Sequence, residues 1–202
     1  MAKAKYPPLI ESVSEYLREN KFRQRALGFN RKTNDPEVTE VITIQRGRSW
    51  LEGKFTIELG VYVPKIQALA YPESEVPVFP QACDCCFRGR LPILAGWKDH
   101  WWESNREQDL LEIEMLLDRF GWPFLEDRNS LERIFAREVR AFEIGKSKDH
   151  SFDKVVILFL AGRSDYAQVT LRDLFCAIKS RGYSTGAVEA LAHRLGIKLE
   201  PQ

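Results

Sequence analysis

The sequence predicts an α+β fold, with an N-terminal helix, a small antiparallel sheet packed on helices, and a C-terminal helical annex. Three observations predict it. One run alternates apolar and polar residues with period two. The helix-like segments lie before and after the strand-like ones rather than between them. The last fifty residues carry helical stripes joined by short links.

Leu9, Val13, Tyr16 and Leu17 recur at helical spacing behind Pro7-Pro8, which predicts a helix from residue 8 to 27 ended by Gly28. Asn34-Asp35-Pro36 marks a turn. Val41 to Gln45 is a short β-branched run. Phe55, Ile57, Leu59, Val61 and Val63 then hold the odd positions, with Lys54, Thr56, Glu58, Gly60 and Tyr62 on the even ones. This alternation predicts a strand with one face on a core. The link RGRSWLEG has the glycines of a turn, so the two strands read as an antiparallel hairpin. Residues 64–82 hold four prolines and read as a long irregular connection. A third strand is predicted near Cys86–Leu91.

Ser104-Asn-Arg-Glu107 has the capping-box pattern. A helix behind it carries Leu110, Ile113, Leu117 and Phe120, and Gly121-Trp-Pro123 reads as its stop. Another helix is predicted from Ser130, burying Leu131, Ile134, Phe135 and Val139. The run DKVVILFLAGR reads as a helix ending at Gly162, with a strand over 154–160 as the alternative. Leu171, Leu174, Phe175 and Ile178 form one further stripe. Val188, Leu191, Ala192 and Leu195 form another, between Ser184 and Gly196. The predicted division is an α+β domain over residues 1–150 and a helical annex over 151–202.

Composition narrows the function classes. A net charge of +1 supplies no bulk field to recruit nucleic acid or an anionic membrane. Residues 1–50 carry 10 basic against 6 acidic groups and residues 104–150 carry 8 against 11, an asymmetry that fits solvated helix faces. No apolar run reaches the length of a membrane span, and the N-terminus lacks the apolar core of a signal peptide. Four cysteines, three of them within residues 83–86, do not make a disulfide framework. A reducing cytoplasm is the expected compartment.

The candidate chemistry lies in CDCCFRGRLPILAGWKDHWW, residues 83–102. Cys83, Cys85 and Cys86, with His100 or Cys176 as a fourth group, offer metal-ligating groups, but two C-x₂-C pairs are absent. Cys85 and Cys86 point to opposite faces of an extended chain. Arg88 and Arg90 share one face of a strand. If Arg46 and Arg48 converge on them, the cluster suits bidentate recognition of carboxylate or phosphate; the competing reading is a structural network with Glu58. Of Trp101 and Trp102, one is expected in the core and the other at its rim. His100, His150 and His193 are isolated, and the familiar nucleophile, phosphate-loop and zinc-protease motifs are absent. The stretch 171–195 resembles a helix-turn-helix only superficially, because its polar groups fall late in the second helix.

Several of these features occur together, in order, in a known family. They are Gly28-Phe29 followed by Arg31, Ile44-Gln45-Arg46, FTIELGV at 55–61, Cys86-Phe-Arg88-Gly-Arg90-Leu91, and Trp101-Trp102. Over residues 8–127 the chain resembles the domain of unknown function 4304 family of bacterial proteins. The resemblance implies a small α+β fold and carries no established activity or catalytic residues.

The functional expectation is a non-enzymatic binding or protein-interaction module. Its site is expected at Gln45, Arg46, Arg88, Arg90, Trp101 and Trp102, taking a protein partner or a small anionic ligand, with no cofactor, nucleic acid or membrane. The alternative is a metal-binding or anion-processing enzyme using Cys83, Cys86 and His100. A homodimer through the tryptophan patch is a third reading. Alanine at Arg88 or Arg90 is expected to weaken binding and leave the fold intact.

Overall fold

The computed structural model describes residues 6–145 and 151–199; His150 lies outside the described residues. In chain order the elements are α1 (Pro8–Glu19), β1 (Arg23–Arg25), β2 (Gly28–Lys32), β3 (Thr39–Arg46), β4 (Lys54–Tyr62), α2 (Pro64–Ala70), β5 (Phe87–Arg90), α3 (Leu91–Leu94), β6 (Trp102–Glu103), α4 (Leu110–Leu116), α5 (Trp122–Glu126), α6 (Leu131–Glu143), α7 (Phe152–Leu160), α8 (Ser164–Ser180) and α9 (Gly186–Leu195). The fold is α+β. Two compact units divide it: residues 1–63 with 77–129, and residues 64–76 with 130–202.

The first unit contains the sheet. Among the described residues its strands run β1-β2-β3-β4-β5, all antiparallel, with β6 pairing one end of β4. β3 and β4 form the expected hairpin, with Thr43 opposite Glu58 and Gln45 opposite Thr56. Phe55, Ile57, Leu59 and Val61 are fully buried, as their period-two spacing requires. The other face is less open than the alternation implies. Thr56 is fully buried, and Tyr62 packs with Val41 and Cys85 in a small second cluster. A 3₁₀ turn at Ala82–Asp84 leads into that cluster. At Gly60 a Cβ would stand 2.5 Å from the Cys85 sulfur, so glycine is what admits this cover.

Several boundaries differ from the sequence expectation, each for a local reason. The first helix stops at Glu19, not at residue 27. Lys21 takes a left-handed conformation (φ 68°), and Phe22 N–H donates back to the Leu17 carbonyl. This closure usually uses glycine, so a lysine hides it from a sequence reading. The connection after Tyr62 is not wholly irregular: Pro64 opens α2, because a proline at the first helical position lacks only an N–H that would be unpaired anyway. The capping box at Ser104–Glu107 does not form. Ser104 is buried, its N–H donates to the Gly53 carbonyl, and its own carbonyl accepts from Leu9 N–H. Gly121-Trp-Pro123 does not stop the following helix either. A π-helical turn at Leu117–Gly121 carries the chain into α5, where Pro123 stands in the first turn.

The second unit is helical among its described residues. Ser130 caps α6 by accepting from Arg133 N–H, and Ser151 caps α7 by accepting from Lys154 N–H. α6 buries Ile134 fully, while Leu131, Phe135 and Val139 are half-buried. Residues 154–158 of α7 are all buried, which makes it the central helix of the unit and explains its strand-like run of apolar residues. Gly162 ends it with φ 75°. Leu171, Val188 and Leu191 supply further fully buried side chains.

Candidate functional site

The strand order decides which predicted residues meet. β5 pairs with β4 and not with β3, so β4 separates Arg88 and Arg90 from the β3 end that carries Arg46. The conditional four-arginine cluster therefore does not assemble, and Arg90 pairs with Glu58 as in the competing reading. Arg88 lies opposite Gly60 and is exposed. Among the described residues its side chain makes no hydrogen bond or ion pair.

Arg90 instead uses each of its three guanidinium nitrogens within the first unit. Nε donates to Glu58 Oε1 at 3.1 Å, Nη1 to Asp99 Oδ2 at 2.7 Å and Nη2 to Gln45 Oε1 at 3.1 Å. Trp101 Nε1 donates to the same Asp99 oxygen at 3.2 Å, and the guanidinium stands 5.4 Å from the Trp101 ring centre. Burial alone would raise the Asp99 carboxyl, but the hydrogen bonds from Arg90 and Trp101 hold it below the usual carboxylate range. Gln45, Arg90 and Trp101 thus form one network, with Arg90 as its fixed centre. Arg90→Ala is expected to lower stability by about 1–2 kcal/mol, because it strands partners only partly reached by water. Arg88→Ala should change it by less than about 0.5 kcal/mol. Urea unfolding of the two variants checks the contrast.

Trp102 is not at a surface. It is 1% exposed, sits opposite Phe55 and donates through Nε1 to Glu112 Oε1 at 2.8 Å. Trp101 is the half-buried rim residue of the pair.

Arg46 finds different neighbours. With Leu27, Gln45, Gly47, Arg48, Leu51 and Trp101 it lines a depression of about 780 Å³, within the volume range of small-molecule clefts. Gly47 is required there, since a Cβ would collide with the carbonyl and side chain of Leu51 as the hairpin tip folds back. Among the described residues, neither Arg46 nor Arg48 makes a side-chain hydrogen bond or ion pair. Next to them the 3₁₀ turn Ser49–Leu51 displays Trp50, 83% exposed. Sequence reasoning treated RGRSWLEG as a link and missed Trp50. The signal was an arginine–tryptophan pairing in a turn, where an aromatic ring has nothing to pack on.

The cysteines scatter. Cys85 is buried beneath Gly60, and Cys86 Sγ donates to the Val61 carbonyl at 3.2 Å. Burial pushes the Cys85 thiol well up; burial, and then the Asp84 charge, raise that of exposed Cys83. These shifts oppose thiolate chemistry. His100 is held edge-on to Trp97 and Trp102, at 5.7 and 5.1 Å between ring centres. Among the described residues no three His, Cys, Asp or Glu side chains are grouped as a metal ion would need, so Cys83, Cys86 and His100 do not form such a set. No helix of the described residues is long and apolar enough to cross a membrane.

Comparison with known proteins adds one finding. The model of the family described as domain of unknown function (DUF4304) matches residues 13–127. No curated protein and no solved structure matches the chain. The match covers more than half of the chain and most of the sheet-bearing unit, including every residue of the Arg90 network and of the depression.

Proposed function

We propose that this chain, which belongs to the DUF4304 family, is a binding module rather than an enzyme, and that the depression beside Arg46 and Arg48 captures an anionic group. One observation carries the reading. Arg31 and Arg90 are committed to Glu40 and to Glu58 and Asp99, whereas Arg46 and Arg48 line a depression with no acceptor of their own. Two guanidiniums with no acceptor of their own, carried on one face of the extended chain, suit a carboxylate or phosphate, each oxygen accepting a charge-assisted hydrogen bond. The Arg90 network fixes Gln45 and Trp101 as a rigid back to the site. The expected six-residue surface is thereby revised: Gln45, Arg46 and Trp101 stay, Arg48 joins them, Arg90 acts as their support, and Arg88 and Trp102 drop out. Free thiols at exposed Cys83 and Cys176 suit a reducing cytoplasm.

The test is an NMR titration with glutarate, a simple dicarboxylate. Backbone amides of residues 45–48 and the Trp101 indole are expected to shift saturably, and added salt should weaken the response. The Arg46→Ala/Arg48→Ala variant should lose it while unfolding at an unchanged urea midpoint. Shifts spread evenly over the surface, or retained in the double variant, would overturn the proposal.

A further inference from the structure

Main-chain geometry at the same depression, taken with the anionic site proposed above, narrows the class of ligand. In an antiparallel ladder, successive residues turn their N–H and C=O to alternate sides. Gly47 N–H donates to the Lys54 carbonyl at 2.8 Å, so Gly47 and Gln45 face β4. Ile44 faces the other way, and its N–H donates to the Leu27 carbonyl at 2.9 Å. Arg46, two residues on, also faces away from β4. There β2 has ended: its register stops at Gly28 opposite Thr43, the Leu27 carbonyl takes the last hydrogen bond, and at Ala26 (φ 54°) the chain bends toward β1. The N–H and C=O of Arg46 therefore open on the side where Leu27 and Arg46 line the depression. Arg48 is still extended (φ −126°, ψ 158°), so its side chain shares a face with that of Arg46. The chain leaves the extended conformation at Ser49 (φ 55°), which limits the open edge to about 10 Å at strand rise.

We infer that the ligand is a short extended acidic segment of a protein partner, added antiparallel to this open edge. A simple anion satisfies the guanidiniums but cannot donate to the Arg46 carbonyl. A peptide residue opposite Arg46 exchanges both main-chain hydrogen bonds with it. Its side chain then lies across from Arg46, and the residue two positions away lies across from Arg48. Opposite charges in such cross-strand pairs attract. The recognised pattern is Glu-x-Glu, read by charge on one face and by main chain along the edge.

The pattern defines the probe, acetyl-Ala-Glu-Val-Glu-Ala-amide, titrated into the full chain by NMR and calorimetry. It should bind at least ten-fold tighter than glutarate, with the largest shifts at the Arg46 amide. Methylating both Glu amide nitrogens removes the donors but no charge, and should return the affinity to that of glutarate. Arg46→Ala/Arg48→Ala should abolish both. If glutarate binds at residues 45–48 but the peptide binds no tighter, or is indifferent to methylation, the peptide assignment falls and the anion site stands. If neither ligand binds, both fall. The chain carries its own exposed Glu73-Ser74-Glu75. Concentration-dependent dimers in sedimentation that Glu73→Ala/Glu75→Ala removes would assign the edge to a second copy and overturn the foreign partner.

Discussion

Replacing Trp102 with alanine is expected to cost about 3–5 kcal/mol, the range for deleting a large aromatic side chain from a packed interior. The ring is 1% exposed, tilts against Phe55 at 5.9 Å between centres and meets His100 edge-on at 5.1 Å. Its indole N–H donates to Glu112 in α4, so one residue ties the end of the sheet to a helix. A loss of this size is a large part of the 5–15 kcal/mol that holds a typical domain together. Trp102→Phe provides the graded control. It keeps most of the apolar area and loses the hydrogen bond, so its cost should be about 1–2 kcal/mol. Guanidinium unfolding followed by near-UV circular dichroism measures both. An alanine variant within 1 kcal/mol of the parent would contradict the packing described above. The same variants separate structure from binding: Trp102→Phe should leave the glutarate response intact, since Trp102 does not line the depression.

What was legible in the sequence followed from local physics. The strand over 55–61 was visible because its buried face repeats every second residue. α7 was legible only in part: the helical stripe that follows and Gly162 favoured a helix, its apolar run also suited a buried strand, and the Ser151 cap that decides it was not read from the sequence. The early end of α1 was not, because Lys21 adopts a conformation that glycine ordinarily announces. The helix passing through Gly121-Trp-Pro123 was not, because a π-helical turn absorbs the proline where helix propensity predicts a stop. The candidate site shows the same divide. The arginines and tryptophans were singled out in the sequence by residue type and clustering alone. Which of them are occupied depends on strand order, a long-range property. With β5 on β4, Arg90 meets Glu58 and Asp99, and Arg46 and Arg48 are left without an acceptor at the rim of the depression. A different sheet order would have exchanged those roles without altering a residue.

Lys154→Met is expected to destabilise the second unit by about 3–5 kcal/mol, although it replaces a charge in a buried helix with an apolar side chain of similar length. Lys154 Nζ lies 3.2 Å from Glu138 Oε2, and the two side chains are only 8% and 12% exposed. Removing the lysine leaves the Glu138 carboxylate with little water and no cation at contact distance. The cost arises from that stranded charge and not from lost packing, since methionine fills much of the same volume. The double variant Lys154→Met/Glu138→Leu decides between these causes. If stranded charge is the cause, removing the second partner should restore stability to within about 1 kcal/mol of the parent, because a buried ion pair and a well-packed apolar pair are often nearly equivalent. If lost packing or helix distortion is the cause, the double variant should be at least as unstable as the single one. Urea unfolding of parent, singles and double closes the cycle, and a coupling energy below about 1 kcal/mol would show that the pair contributes no more than a surface ion pair does.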